Sequence, residues 1–113
     1  MGTRLYVGKR SDAEDGSNVM VHDGAEAPRP LHLYLEEVNH SPTGFEWGYG
    51  GSGPAQLAFA ILADCTGSTE TARQHYQGFK QRHIAIIHTD EWCITSDLVR
   101  QFLDSQPKGG LLA

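Results

Sequence analysis

His40, Ser41, Glu46 and Ser52 fall within one short stretch and bring together an imidazole, two hydroxyls and a carboxylate. A nucleophile, a base and a group that orients the base are what acyl transfer needs. The spacing argues against it: the nucleophile elbow is Gly-x-Ser-x-Gly, and Gly51-Ser52-Gly53 puts each glycine one residue from the serine, not two. No catalytic residue is assigned on this basis. The same stretch contains Gly48-Tyr-Gly-Gly-Ser-Gly53, a formal match to G-x-G-x-x-G between a strand and a helix. Backbone amides at such a helix start can hold an anion. A dinucleotide fold, however, needs parallel βαβ units, the Gly-Lys-Ser/Thr of a P-loop is missing, and Pro54 removes one amide donor. The plainer reading makes the glycines a turning device, with Gly50, Gly51 or Gly53 at positive φ.

Six histidines (22, 32, 40, 75, 83 and 88) raise the question of a metal. There is no His-Glu-x-x-His, and no pair has the tight spacing of a structural zinc site, so neither a metal nor a cofactor is expected. Asp12, Glu14 and Asp15 lack the fixed spacing of a calcium loop and read as a solvated loop. Glu36 and Glu37 are adjacent and would point to opposite faces of a strand, which disfavours a joint acid–base role. Recognition is a different matter. His40, Ser41, Glu46, Trp47, Tyr49, Gly50, Gly51, Ser52 and Gln56 combine polar and aromatic groups of the kind that anchor interfaces. They are the expected binding surface. Within it, Gln56 has the plainer alternative of tying down the loop, and His40 that of holding a turn.

These residues need elements to position them. Residues 4–7 and 18–22 alternate β-branched and aromatic side chains between turn formers, and read as two antiparallel strands. Leu31-His-Leu-Tyr-Leu35 also alternates, as do Phe45, Trp47 and Tyr49, whose rings would share one face. Gly44 is free to take positive φ in the turn between them. The run from Leu57 to Ala63 is apolar all round, so the helix at about 54–65 is buried on nearly every side. Gly67 stops it, and Ser68 or Thr69 caps a second helix over about 69–87, with 84–87 open to a reading as strand. Trp92 to Ile94 is extended, and Thr95 or Ser96 caps a third helix at about 95–105. A sheet followed by helices is an α+β domain. The expectation is an antiparallel sheet of three or four strands within residues 4–49, covered on one face by three helices, with the tail 107–113 frayed.

Composition bounds the rest. The 113 residues make one domain, 39% hydrophobic and 20% charged, as in an ordinary globular protein. A net charge of −5 argues against direct nucleic-acid binding, which needs a basic stripe. Mimicry of nucleic acid by the acids is a further reading, weakened by their scatter among nine basic residues. No stretch is long enough to span a membrane, and the first residues lack a signal peptide's apolar core, so a cytoplasmic setting is expected. Cys65 and Cys93 are too far apart for a metal motif and read as free, buried thiols.

The run His40-Ser-Pro-Thr-Gly-Phe-Glu-Trp-Gly-Tyr-Gly-Gly-Ser-Gly-Pro-Ala-Gln-Leu-Ala58 resembles the hallmark of a domain family of unknown function, found in short bacterial, plasmid and phage proteins. Tyr76-x-x-Phe79-Lys80 and Trp92-x-Ile94-Thr95 are similar to the same family, so the likeness spans about residues 31–103. It carries no catalytic residues. It implies a small cytoplasmic protein associated with mobile elements, which act through many accessory proteins, inhibitors of host defence among them. The expected function is non-catalytic binding to another protein. The alternative class is a small enzyme or a phosphate or nucleotide binder using the loop 48–53 with His40 and Glu46. Oligomeric state is not legible.

Overall fold

Alternating side chains near the start of the chain decide which way its first strands face. The computed structural model describes residues 3–10, 17–42 and 44–106. Strand β1 (Arg4–Arg10) pairs antiparallel with β2 (Ser17–Asp23), with Tyr6 opposite Val21 and Gly8 opposite Val19. Tyr6, Val19 and Val21 are buried. Leu5, Val7 and Met20 point to the other face and stay partly exposed. A two-residue strand, β3 (Arg29–Pro30), borders β2, and β4 (Glu91–Thr95) borders β1, so the order is β3-β2-β1-β4. Helices α1 (Ser52–Thr66), α2 (Thr69–Phe79) and α3 (Ser96–Asp104) share one core with the inner face of the sheet. The chain is thus the expected α+β fold of four antiparallel strands and three helices.

The helices follow their local signals. Every residue of α1 from Gly53 to Ala63 is buried. Gly67, at φ 71°, ends it in the left-handed conformation and returns its N–H to the Ala63 carbonyl. The Ser68 hydroxyl accepts the Thr71 amide at 3.1 Å and starts α2; the Thr95 hydroxyl does the same for Leu98 and starts α3. Helix α2 is shorter than the 69–87 expected. At Lys80 it widens into a π-helical segment (Lys80–Ile84), and residues 85–88 are a turn, neither helix nor strand.

Two expected strands do not form. Residues 31–35 leave the sheet after one further bond, from the Leu31 amide to the Val19 carbonyl. Continuing the register would set Leu33 against Ser17, where β2 begins. Tyr34 instead takes φ 61° and its carbonyl accepts the amides of Glu37 and Val38, closing a turn. Residues 45–49 keep part of their expected facing: Phe45 and Trp47 are buried. They find no strand to pair with, because β4 has taken the open edge of β1. Gly48, at φ 90°, then turns the chain, so Tyr49 leaves the aromatic face and is 52% exposed. The fourth strand therefore comes from residues 91–95, outside the expected span of 4–49.

Three smaller expectations also change. Positive φ falls at Gly24, Gly44, Gly48 and Gly67, not at Gly50, Gly51 or Gly53. Cys65 and Cys93 are free thiols, but Cys93 is exposed. Trp92 and Ile94 turn inward on β4, which sends Cys93 to the outer face opposite Val7. Asp12, Glu14, Asp15 and the tail 107–113 lie outside the described residues.

Candidate functional site

Gln56 sits in the first part of α1 with no exposure, and a buried amide must satisfy two donors and two acceptor positions. All four are used. Its Oε1 accepts the amides of His40 at 2.8 Å and Ser41 at 3.1 Å, and its Nε2 donates to the carbonyls of Leu33 at 2.7 Å and Val38 at 2.9 Å. Gln56 therefore pins the whole turn region 33–41 to the central helix. The Ser41 hydroxyl donates to the Gly44 carbonyl at 2.6 Å, and His40 Nε2 lies 2.9 Å from the Tyr76 hydroxyl on α2. The polar groups around residue 40 are engaged with the protein's own backbone and helices.

Glu46 and Trp47 belong to a second cluster, built on Arg10. The Arg10 guanidinium donates to Glu46 Oε1 at 2.6 Å, to the Trp47 carbonyl at 3.2 Å and to Asp90 at 3.2 Å. It also lies over the Trp47 ring, 4.4 Å from its centroid. The bond to Glu46 outweighs partial burial and raises the Arg10 pKa above its ordinary value. Trp47 is 2% exposed and its indole N–H donates to the Thr89 carbonyl. Its ring meets Trp92 edge-on at 5.4 Å. Trp92 in turn covers Gly8 so closely that a Cβ there would overlap the indole. Trp47 is thus core, not contact surface.

Tyr49, Gly50, Gly51 and Ser52 form the remaining part. The Gly48 amide donates to the Ile84 carbonyl at 3.1 Å, which fastens this loop to the end of the π-helical segment. Gly53 is required by close approach, since a Cβ would stand 2.5 Å from that of Glu46 and 3.1 Å from the Glu46 amide nitrogen. Tyr49, Gly50 and Ser52 are exposed. So is Ile86, at 61%, on the segment the loop is fastened to. Beneath them lies Lys80, only 8% exposed, with its Nζ 3.4 Å from the Gly50 carbonyl.

The structure thus divides the expected site in three. Ile86 and Lys80 were missed. Lys80 shares a four-residue stripe with Ala72, Tyr76 and Ile84, one helix face, but that spacing alone does not say that a charged side chain there is covered. Also missed was an ion cluster at the end of α1. Asp64 accepts from the Tyr6 hydroxyl at 2.8 Å and from Arg4 and Arg29 at 3.0 Å, and Arg4 also pairs with Asp23. Burial raises the Tyr6 pKa, with Asp64 adding to the effect, and it raises the Cys65 thiol as well, which keeps that sulfur a poor nucleophile. A hollow of about 40 Å³ beside this cluster is lined by Arg4, Asp23, Cys65, Ser96 and Arg100. A wider one, about 240 Å³, runs between Arg82, His83 and α3. Burial, then the charge of Arg82, lowers the His83 pKa. Among the described residues no group of three histidines, cysteines or acids converges as a metal site, and no helix is long and apolar enough to cross a membrane.

No curated protein and no solved structure matches this chain. One sequence family does. Its profile covers residues 6–105, from the inner tyrosine of β1 to just past the end of α3, and so takes in all of the elements described above but the first two residues of β1. The chain belongs to the family of unknown function DUF6166.

Proposed function

We propose that this is a non-catalytic binding protein that engages another protein through the ledge made by loop 48–52 and residues 84–87. One observation carries the reading. Among the described residues the exposed large hydrophobic side chains are Tyr49 and Ile86, and they stand on two segments joined by the Gly48–Ile84 hydrogen bond. Exposed aromatic and aliphatic side chains on a rigid support are what a partner's surface buries. Supporting it, the Ser41 hydroxyl bonds the Gly44 carbonyl, His40 meets Tyr76 and Glu46 pairs with Arg10, so no hydroxyl, imidazole and carboxylate of the expected site are set against one another as a nucleophile and its base. From the resemblance alone we extend the proposal to a cytoplasmic accessory role for a mobile element, with a host-defence protein as the partner.

The test is capture from the native host with a tagged chain, identification by mass spectrometry, and reconstitution with the purified partner. A Tyr49→Ser/Ile86→Ser double variant keeps the wild-type melting temperature and loses at least about tenfold in affinity, the scale of a modest hot spot. Undiminished binding by that folded variant overturns the ledge as the contact surface. A partner with no part in host defence removes the accessory role and leaves the binding reading intact.

A further inference from the structure

The wider of the two hollows, about 240 Å³, lies between the π-helical segment and α3 and is lined by Arg82, His83, Leu98, Gln101, Phe102 and Ser105. A cavity of about 150 Å³ accepts a benzene ring, and sites for drug-sized ligands begin near about 300 Å³. This one has room for a single ring or a short aliphatic chain carrying one small polar group. Its floor is apolar, with Phe102 buried and Leu98 half-buried. The His83 ring is packed 5.1 Å from that of Phe79 and edge-on to Phe102 at 5.8 Å, which fixes it as a wall. Burial, then the charge of Arg82, lowers its pKa, so near neutral pH it adds hydrogen-bonding capacity without charge. The charge comes from Arg82. Five of the chain's six arginines, Arg4, Arg10, Arg29, Arg73 and Arg100, have a carboxylate at 2.6 to 3.9 Å. Arg82 has none among the described residues, in a chain with 14 acids. Asp97 and Asp104 also lie on α3, but neither lines the hollow, and Asp97 pairs with Arg100. The Gln101 amide and the His83 ring nitrogens likewise meet no hydrogen-bonding partner among the described residues, in a fold where Gln56 uses all four of its positions and His40 is held by Tyr76.

We propose that this cleft binds a small carboxylic acid with an aromatic or short aliphatic body, its carboxylate held by the Arg82 guanidinium and the Gln101 amide and its apolar part laid on Leu98 and Phe102. A guanidinium presents parallel N–H donors that match the two oxygens of a carboxylate. Inorganic phosphate would use the arginine but gain nothing from Leu98 and Phe102, and a neutral apolar molecule would leave Arg82 unpaired. The wall that supplies Arg82 and His83 is π-helical, and such segments are frequent at functional sites. The inference goes beyond the protein-contact reading and does not rest on it, since neither Tyr49 nor Ile86 lines the cleft.

Amide and imidazole NMR on the intact chain tests it, at constant ionic strength. The probes are 3-phenylpropanoate, its neutral counterpart 3-phenylpropanol, acetate and inorganic phosphate, each titrated separately. The expected result with 3-phenylpropanoate is saturable shifts centred on Leu98, Gln101, Phe102 and the His83 ring. The alcohol, acetate and phosphate each bind at least about tenfold more weakly, because each lacks one half of the match. Arg82→Met, at an exposed position outside the core, lowers the affinity for the acid at least about tenfold and leaves that for the alcohol unchanged. Absence of saturable shifts in wild type overturns the site. So does equal affinity for the acid and the alcohol, or an Arg82→Met variant that binds the acid as well as wild type does. Should Arg82→Met fail to fold, the wild-type comparison of acid with alcohol decides alone.

Discussion

Tyr6 shows what a single hydroxyl contributes. Its side chain is fully buried and donates to Asp64, so the fold requires it protonated. Unfolded tyrosine ionises near pH 10, whereas burial and then Asp64 hold the folded group well above that. A raised folded pKa contributes stability that is fully present below about pH 10 and is lost as pH rises towards the folded value, by at most about 1.4 kcal/mol per pH unit for one group. Urea midpoints measured from about pH 9 to 11 should therefore fall more steeply in wild type than in Tyr6→Phe. Burial pushes Cys65 and Tyr34 the same way, so the variant keeps a residual slope. Equal slopes would remove Tyr6 from this account. At this scale the sequence was half-readable. Gln56 does tie down a loop, but not the glycine loop at 48–53 that the sequence suggests; it holds the turn region 33–41 instead. Lys80 is not legible in the same way, because nothing local says that a lysine at the start of the π-helical segment is covered by a loop thirty residues away.

Elements separate the glycines that turn the chain from those that do not. Gly48 carries φ 90°, and a Cβ there would stand 2.7 Å from the Ile87 carbonyl oxygen. Gly50 has no positive φ, and its nearest neighbour would be the end of the Gln81 side chain at 3.9 Å. Gly48→Ala should cost more than about 1 kcal/mol, and Gly50→Ala should be neutral or slightly stabilising. Chemical denaturation of the two variants checks this, and the reverse order would relocate the turn. The same contrast explains which elements were legible. α1 and the stops and caps at Gly67, Ser68 and Thr95 obey rules that act within one turn. Strand formation at 31–35 depended on a neighbour that runs out at Ser17, and 91–95 became a strand by pairing with residues far away in sequence. Alternation is visible locally; the partner is not.

On the scale of the whole molecule, the helices share the core with one face of the sheet, and Leu5, Val7, Met20 and Cys93 carry the other. Cys93 is exposed there, whereas Cys65 is partly covered at the end of α1 with its thiol pKa raised by burial. Native-state alkylation followed by intact mass should add one label quickly, at Cys93, and a second only on unfolding. Fast labelling of both thiols would show the end of α1 to be open. Slow labelling of both would show that something covers the outer face in solution.

Pairing of β1 with β4 has a consequence for how the protein is made. The backbone of Arg4 is held by Ser96, 92 residues away in sequence, and one whole edge of β1 is completed by 91–95. During synthesis β1 and β2 emerge first, with the edge of β1 unsatisfied until nearly every other described residue has been translated. Long-range closure of this kind slows folding and leaves nascent intermediates exposed to wrong pairing. The ribosome thus carries a chain whose sheet cannot be finished, and whose helix α1 has no complete surface to bury against, until β4 is free of the exit tunnel.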